Sequence, residues 1–179
     1  MKNALIAAAS LAAFGAAVPA FAQDAAATNT GAYVNLNGAI ASAGSADVGA
    51  IQGRVGYRFM PYVGIEGELA AGVKSDKDTI AGVQVTQKLK HEEAAYAVGF
   101  LPVGPSTDIL ARIGYGSTKV SAKSGGVTVS DSIPSVNYGV GAQHLFDGAN
   151  GLRVDYTYQD FTKGRGHANV WTAGYVRKF

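Results

Sequence analysis

The sequence contains no cysteine, which excludes disulfide bonds and a lipid-modified amino-terminal cysteine alike. Charge is scarce, at 16% of residues, and nearly balanced, with 15 basic and 13 acidic side chains. No field strong enough to attract nucleic acid follows from that balance. There are three histidines and one tryptophan, and the glycines form neither a GxGxxG nor a P-loop spacing, so no nucleotide cradle is encoded. Beyond residue 30 no apolar run reaches the ~20 residues that a membrane-spanning helix needs. Any insertion of the folded part into a bilayer must therefore be made by strands.

What the sequence does have is glycine, tyrosine and phenylalanine, 24, 9 and 7 of them, within a chain that is 47% hydrophobic. Disorder is excluded by that apolar content. Residues 1–22 have the form of a secretory signal: Lys2, an apolar run from Ala4 to Val18, and the small-x-small triplet Ala20-Phe21-Ala22, with cleavage expected before Gln23. Residues 23–30 show no pattern and are expected to be a flexible leader. The rest, residues 31–179, suits one domain.

That domain repeats one unit, an alternating strand followed by a turn or loop. At its end, Phe179, Arg177, Tyr175, Ala173 and Trp171 share one side of a strand. A last strand needs an earlier partner for its edge, and pairing with the first strand closes the sheet into a barrel. The first strand, 32–40, sets Ala32, Val34, Leu36 and Ile40 against Asn35 and Asn37. The second, 49–59, sets Ile51, Val55, Tyr57 and Phe59 against Gln52, Arg54 and Arg58. The third, 62–73, sets Val63, Ile65, Leu69 and Val73 against Glu66 and Glu68. The fourth ends at Phe100 and is read with Ala94, Tyr96, Val98 and Phe100 on the apolar outer side and Glu93, Ala95 and Ala97 on the other. Strands at 109–117, 136–146, 152–161 and 169–179 bring the total to eight, an even number, as bacterial outer-membrane barrels require. Short Pro- or Gly-bearing links alternate with polar loops at 41–48, 74–88, 119–134 and 162–168. Two of these loops, at Val83 to Leu89 and Val127 to Val129, still alternate, so the third to sixth strands are expected to project above the bilayer as hairpins. The apolar parity of Val83, Val85 and Leu89 is opposite to that of Tyr96 and Val98, which implies a bulge or the end of lipid contact.

With the oily side outward, the enclosed side holds Arg54, Arg58, Glu66, Glu68, Glu93, Arg112, Arg153 and Asp155. Four bases and four acids in an interior just wide enough for side chains predict a salt-bridged plug, with a narrow gated channel as the alternative. Aromatic girdles are expected from Tyr33, Phe59, Tyr62, Phe100 and Phe179 at one rim and Tyr115, Phe161 and Trp171 at the other. The competing arrangement is a soluble periplasmic carrier with the same face turned inward.

The signal with Ala20-Phe21-Ala22, the stretch Tyr96-Ala97-Val98-Gly99-Phe100-Leu101-Pro102-Val103, the strand Arg112-Ile113-Gly114-Tyr115-Gly116 and the terminal Phe179 resemble the small eight-stranded outer-membrane barrels of the OmpA, OmpX and opacity-protein type. The resemblance implies an all-β, up-and-down transmembrane barrel in the outer membrane of a Gram-negative bacterium. It also implies that Tyr175 and Phe179 form the signal read by the outer-membrane assembly machinery. Arg177 departs from the pattern of such strands, and its guanidinium can snorkel to rim phosphates. Partners expected are outer-membrane lipid and lipopolysaccharide, with a host or surface ligand at loops rich in Lys74, Lys77, Lys88, Lys90, Lys119, Lys123, Lys163 and Arg165. No nucleic acid and no cofactor are expected, and the protein is read as a monomer.

Some small barrels of this kind modify lipid A, which takes a nucleophile, a base and an orienting acid close together. Alternation splits Glu92 from His91 and Glu93, no serine stands two residues after any histidine, and His91 with Glu93 lacks a third metal ligand. The sequence is thus read as non-enzymatic.

Overall fold

The computed structural model describes residues 30–44, 46–73, 76–80, 83–124, 127–162 and 164–179, of which 46, 76–80, 83–90, 120–124 and 127–130 are described by backbone alone. The expected signal peptide, with Ala20 and Ala22, and the leader up to residue 29 lie outside them. Nine strands are assigned: β1 Gly31–Ala43, β2 Ala46–Met60, β3 Val63–Gly72, β4 Asp76–Ile80, β5 Val83–Gly104, β6 Thr107–Ser124, β7 Val127–Leu145, β8 Asn150–Phe161 and β9 His167–Lys178. β3 pairs with β5 from Val63↔Gly99 to Ala70↔Glu92, and β4 continues along the same partner from Asp76↔Gln87 to Ile80↔Val83. Those two are one stave, so the barrel has eight.

Closure comes from β9 pairing antiparallel with β1, from Tyr33↔Lys178 to Ser42↔Asn169. Following partners round the sheet from Ala32 through Tyr57, Ile65, Ala97, Ile113, Tyr138, Tyr158 and Asn169 returns to β1 at Ser42, ten residues further on. That stagger tilts the staves as they close on one another round the barrel wall.

The termini share one end with the tight links β2–β3, β5–β6 and β7–β8. Phe179 N–H donates to Ala32 O at 2.9 Å, and Lys178 N–H to Ala149 O at 2.7 Å. In the β7–β8 turn Asp147 accepts from the N–H groups of Ala149 and Asn150 at 3.0 and 2.6 Å. Bonds from the Asn150 side chain, then from these N–H groups, hold the Asp147 carboxyl below its ordinary value. At the opposite end the strands run past the expected loop bounds, in the direction that the alternation at 83–89 and 127–129 suggests. β6 reaches Ser124 and β7 resumes at Val127, and β1 reaches Ala43 with β2 beginning at Ala46. Most of the stretches expected as loops at 41–48, 74–88 and 119–134 are therefore ladder, and β4 to β7 project past the shorter staves. Polar residues in an antiparallel ladder beyond the bilayer cost nothing, which is why polarity alone misplaces these ends. The register shifts between Leu89 and His91, so a bulge sits at Lys90; the side chains of Val83, Val85 and Leu89 lie outside the described ones.

The barrel is inside out. Among the described residues the buried side chains are mainly polar, whereas Leu36, Ile40, Ile51, Val55, Ile65, Leu69, Val140, Leu152 and Val154 are exposed. An apolar band of that extent round a whole barrel is a lipid-facing surface. Among the expected girdle residues, Phe59 and Phe179 face outward at the terminus end, Tyr115 and Trp171 face outward nearer the loop end, and Tyr62 and Phe161 are half-buried. Trp171 packs on Tyr156 with centroids 4.9 Å apart.

Two expected girdle residues do not belong to it. Tyr33 and Phe100 are buried in the lumen, edge to face at 6.1 Å. Tyr33 shares the parity of Asn35 and Asn37, so its inward turn follows from strand geometry. Phe100 moves with the whole of β5, whose sidedness is the reverse of the expectation. Tyr96, Val98 and Phe100 point in, while Glu93 and Ala95 point out and Ala97 is half-exposed.

Glycines admit these inward rings. A Cβ at Gly114 would lie 2.1 Å from Ala95 O and 2.5 Å from the Tyr96 ring, and one at Gly56 would lie 2.2 Å from the Tyr33 ring. Replacing Gly114 by valine should destabilise the barrel by about 1–3 kcal/mol through overpacking. Urea unfolding in detergent micelles should show the lowered midpoint, with Gly53→Ala, where nothing lies within 4 Å of the added Cβ, as the unaffected control.

Candidate functional site: the ionic lumen

The inward face of each stave contributes to one stack of ionic groups. At mid-height Arg54, Arg112 and Arg153 interlock with Glu66, Glu68 and Asp155. Arg54 Nε donates to Glu68 Oε2 at 2.7 Å, its Nη1 to Asp155 Oδ2 at 2.5 Å and its Nη2 to Thr172 Oγ1 at 3.2 Å. Arg153 straddles two acids: Nε reaches Asp155 Oδ1 at 3.0 Å, Nη2 reaches Asp155 Oδ1 at 2.9 Å and Glu66 Oε2 at 3.2 Å, and Nη1 is bonded to Glu66 Oε1. Arg112 Nη1 lies 2.9 Å from Glu68 Oε2 and 3.4 Å from Glu66 Oε2, and its Nη2 donates to Thr157 Oγ1 at 2.5 Å.

Aromatic rings complete the cage. Arg112 stacks over Tyr96 at 4.4 Å, whose hydroxyl accepts from Asn137 Nδ2 at 2.9 Å. Tyr33 donates to Glu66 Oε1 at 2.8 Å. A guanidinium over a ring face in a dry site is worth ~2 kcal/mol, which favours the inward turn of Tyr96 and Phe100.

Nearer the terminus end Arg58 bonds Asp108 at 3.0 Å, donates from Nε to the carbonyl of Pro61 at 2.9 Å, and lies over Phe100 at 4.2 Å. Gln143 supports Asp108 at 2.9 Å. Below this pair a cavity of about 10 Å³ among Tyr33, Arg58, Phe100 and Leu145 has room for a single water.

Of the eight residues expected in the ion network, seven are buried in the lumen: Arg54, Arg58, Glu66, Glu68, Arg112, Arg153 and Asp155. Glu93 is not; it faces outward, and its neighbour Glu92 takes the inward place. The stretch His91-Glu92-Glu93 offers a carboxylate of either parity, and the flanking alanines do not choose between them. Sequence reasoning also missed Asp108, although it shares the parity of Arg112 four residues on. His91 faces out, and no group of three or more metal-ligating side chains occurs among the described residues. Arg177 is exposed, with its guanidinium 5.5 Å from the ring of Phe179, and Tyr175 shares that outer face.

The family model for the outer membrane protein beta-barrel domain matches residues 6–179. The chain belongs to that family. Its place is the outer membrane of Gram-negative bacteria. Solved structures agree in fold. Ail of Yersinia pestis, in complex with the heparin analogue sucrose octasulfate, is 16% identical, with 84% of this chain and 97% of that one covered and a TM-score of 0.59. Neisserial surface protein A is 13% identical over 83% and 96%, with a TM-score of 0.61. The N-terminal barrel of Pseudomonas aeruginosa OprF is 11% identical over 84% and 100%, also at 0.61. No curated protein matches in sequence.

Removing one partner of this family member's central network strands the others. Arg153→Met should cost about 3–5 kcal/mol, because Glu66 and Asp155 would remain buried with one cation fewer. Adding Glu66→Gln should recover part of the loss. A double-mutant cycle by urea unfolding in micelles reads both, and an additive cycle would show that Arg153 and Glu66 do not interact.

Proposed function

We propose that this protein is a non-enzymatic outer-membrane barrel whose lumen is plugged and whose biological contacts are made at the projecting end of β4 to β7. The observation that carries the reading is the interlocking of Arg54, Arg112 and Arg153 with Glu66, Glu68 and Asp155 across the interior. Each guanidinium reaches acids on other strands, so the centre is crossed by side chains in several directions. Opening a path through it means separating buried charges, at several kcal/mol each.

On this reading residues 1–22 are a signal peptide cut after Ala22, and the strand ending in Tyr175 and Phe179 is the segment presented to the assembly machinery. Lipid and lipopolysaccharide surround the outer face. The projecting end takes an anionic partner, such as lipopolysaccharide phosphate or a sulfated surface glycan. Support comes from the lysines at 74, 77, 88, 90, 119, 123 and 163 of the sequence and from the polyanion held by the structural neighbour Ail. Arg165, paired with Asp131, is half-exposed at the same end.

Planar-bilayer recording on the refolded protein tests the plug. No stable unitary conductance is expected from the unaltered chain, whereas Arg112→Ala combined with Glu66→Ala should introduce one. Steady channels in the unaltered protein would favour the gated pore instead.

A further inference from the structure

We propose that the upper lumen holds a hard, oxygen-seeking cation on Glu92. Every other lumen carboxylate described has an arginine on it: Glu66, Glu68 and Asp155 at mid-height and Asp108 below. Glu92 is 6% exposed and forms no ion pair among the described residues; it accepts a hydrogen bond from Gln159 Nε2. The lumen arginines are committed to those other acids, which leaves Glu92 without one. An isolated carboxylate in such a place is costly unless a counter-charge accompanies it.

The surroundings supply the remaining ligands. Glu92 is on β5 and Gln159 on β8, so their hydrogen bond reaches across the inner wall over β6 and β7. Three buried side chains on that stretch of wall have an oxygen without a hydrogen-bond partner: Thr118 Oγ1, Ser135 Oγ and Asn137 Oδ1. Thr118 is directly opposite Glu92 in the ladder, Asn137 directly opposite Gln159, and Ser135 two residues from Asn137. Asn137 spends its amide N–H on Tyr96, which fixes its carbonyl oxygen as the free atom. Their exposures are 6%, 0% and 0%.

One carboxylate, one amide oxygen and two hydroxyls form an all-oxygen donor set, the chemistry of Na⁺, K⁺ or Ca²⁺ rather than of zinc or copper. Among the described residues the facing wall offers no competing cation. There Ala39, Ala50 and Val170 of β1, β2 and β9 make a small apolar cluster.

The test uses the whole refolded barrel in micelles of an uncharged detergent free of lipopolysaccharide. Thermal unfolding is followed at constant ionic strength in NaCl, CaCl₂ or choline chloride, whose alkylated cation takes no oxygen ligands. The midpoint of the unaltered protein should rise in sodium or calcium over choline, and that rise should vanish in Glu92→Gln. Tyrosine-sensitised terbium luminescence should saturate in the unaltered protein and lose its saturable part in the variant. Thr118→Val with Ser135→Ala, which keeps Glu92, should shrink the sodium or calcium shift, and it serves if Glu92→Gln does not fold. Equal midpoints in all three salts, an unchanged shift in either variant, or a midpoint that follows pH alone would overturn the proposal, the last because Glu92 would then hold a proton.

Discussion

An eight-stave barrel has an interior that side chains nearly fill, and a charge placed there has little water to turn to. That constraint, more than any single contact, organises this molecule. Once Arg54, Arg112 and Arg153 point inward, acids must lie within reach on other staves: Arg54 reaches Glu68 and Asp155 at 2.7 and 2.5 Å, Arg112 reaches Glu68 at 2.9 Å, and Arg153 is bonded to Glu66. Because side chains alternate along a strand, fixing one inward arginine fixes the sidedness of its stave. The apolar residues are then committed to lipid. Ion pairing inside and oil outside are two consequences of the same parity.

Space is the second half of the constraint. Rings and guanidinia fit in so narrow a lumen only where neighbouring strands give way. Gly56 gives way to Tyr33, Gly114 to Tyr96 and Gly139 to Arg112, whose Cγ would lie 2.8 Å from an added Cβ. The high glycine content therefore belongs to the packing of the lumen as much as to turns. Stacking then adds to pairing, since Arg58 and Arg112 each cover a ring.

Where one face of a strand is charged and the other aliphatic, the sequence alone was enough. β2, with Arg54 and Arg58 against Val55 and Tyr57, and β8, with Arg153 and Asp155 against Leu152 and Val154, take the sidedness that alternation predicts. β5 failed because both of its faces are small or apolar through Ala94-Ala95-Tyr96-Ala97-Val98, so hydrophobicity carries no sign there. Its sidedness is settled by what stands across the ladder: Tyr96 pairs with Glu66 on one side and Gly114 on the other. Such a partner is visible only once the register is known. The same blindness moved the ionic place from Glu92 to Glu93 and put Phe100 in the girdle. The projecting hairpins were legible in part, from the alternation at 83–89 and 127–129, but their ends were not, since hairpins beyond the bilayer need no apolar face.

Nuclear Overhauser transfer from lipid acyl-chain protons to side chains, recorded on the barrel in a lipid nanodisc, tests this sidedness residue by residue without altering the chain. Strong transfer is predicted to Val55, Ile65, Ala97, Ile113 and Val154, and none to Val98 or to the ring of Tyr96. Transfer to Val98 and Tyr96 with none to Ala97 would contradict the arrangement of β5, and acyl contact confined to the lumen set would contradict the whole account.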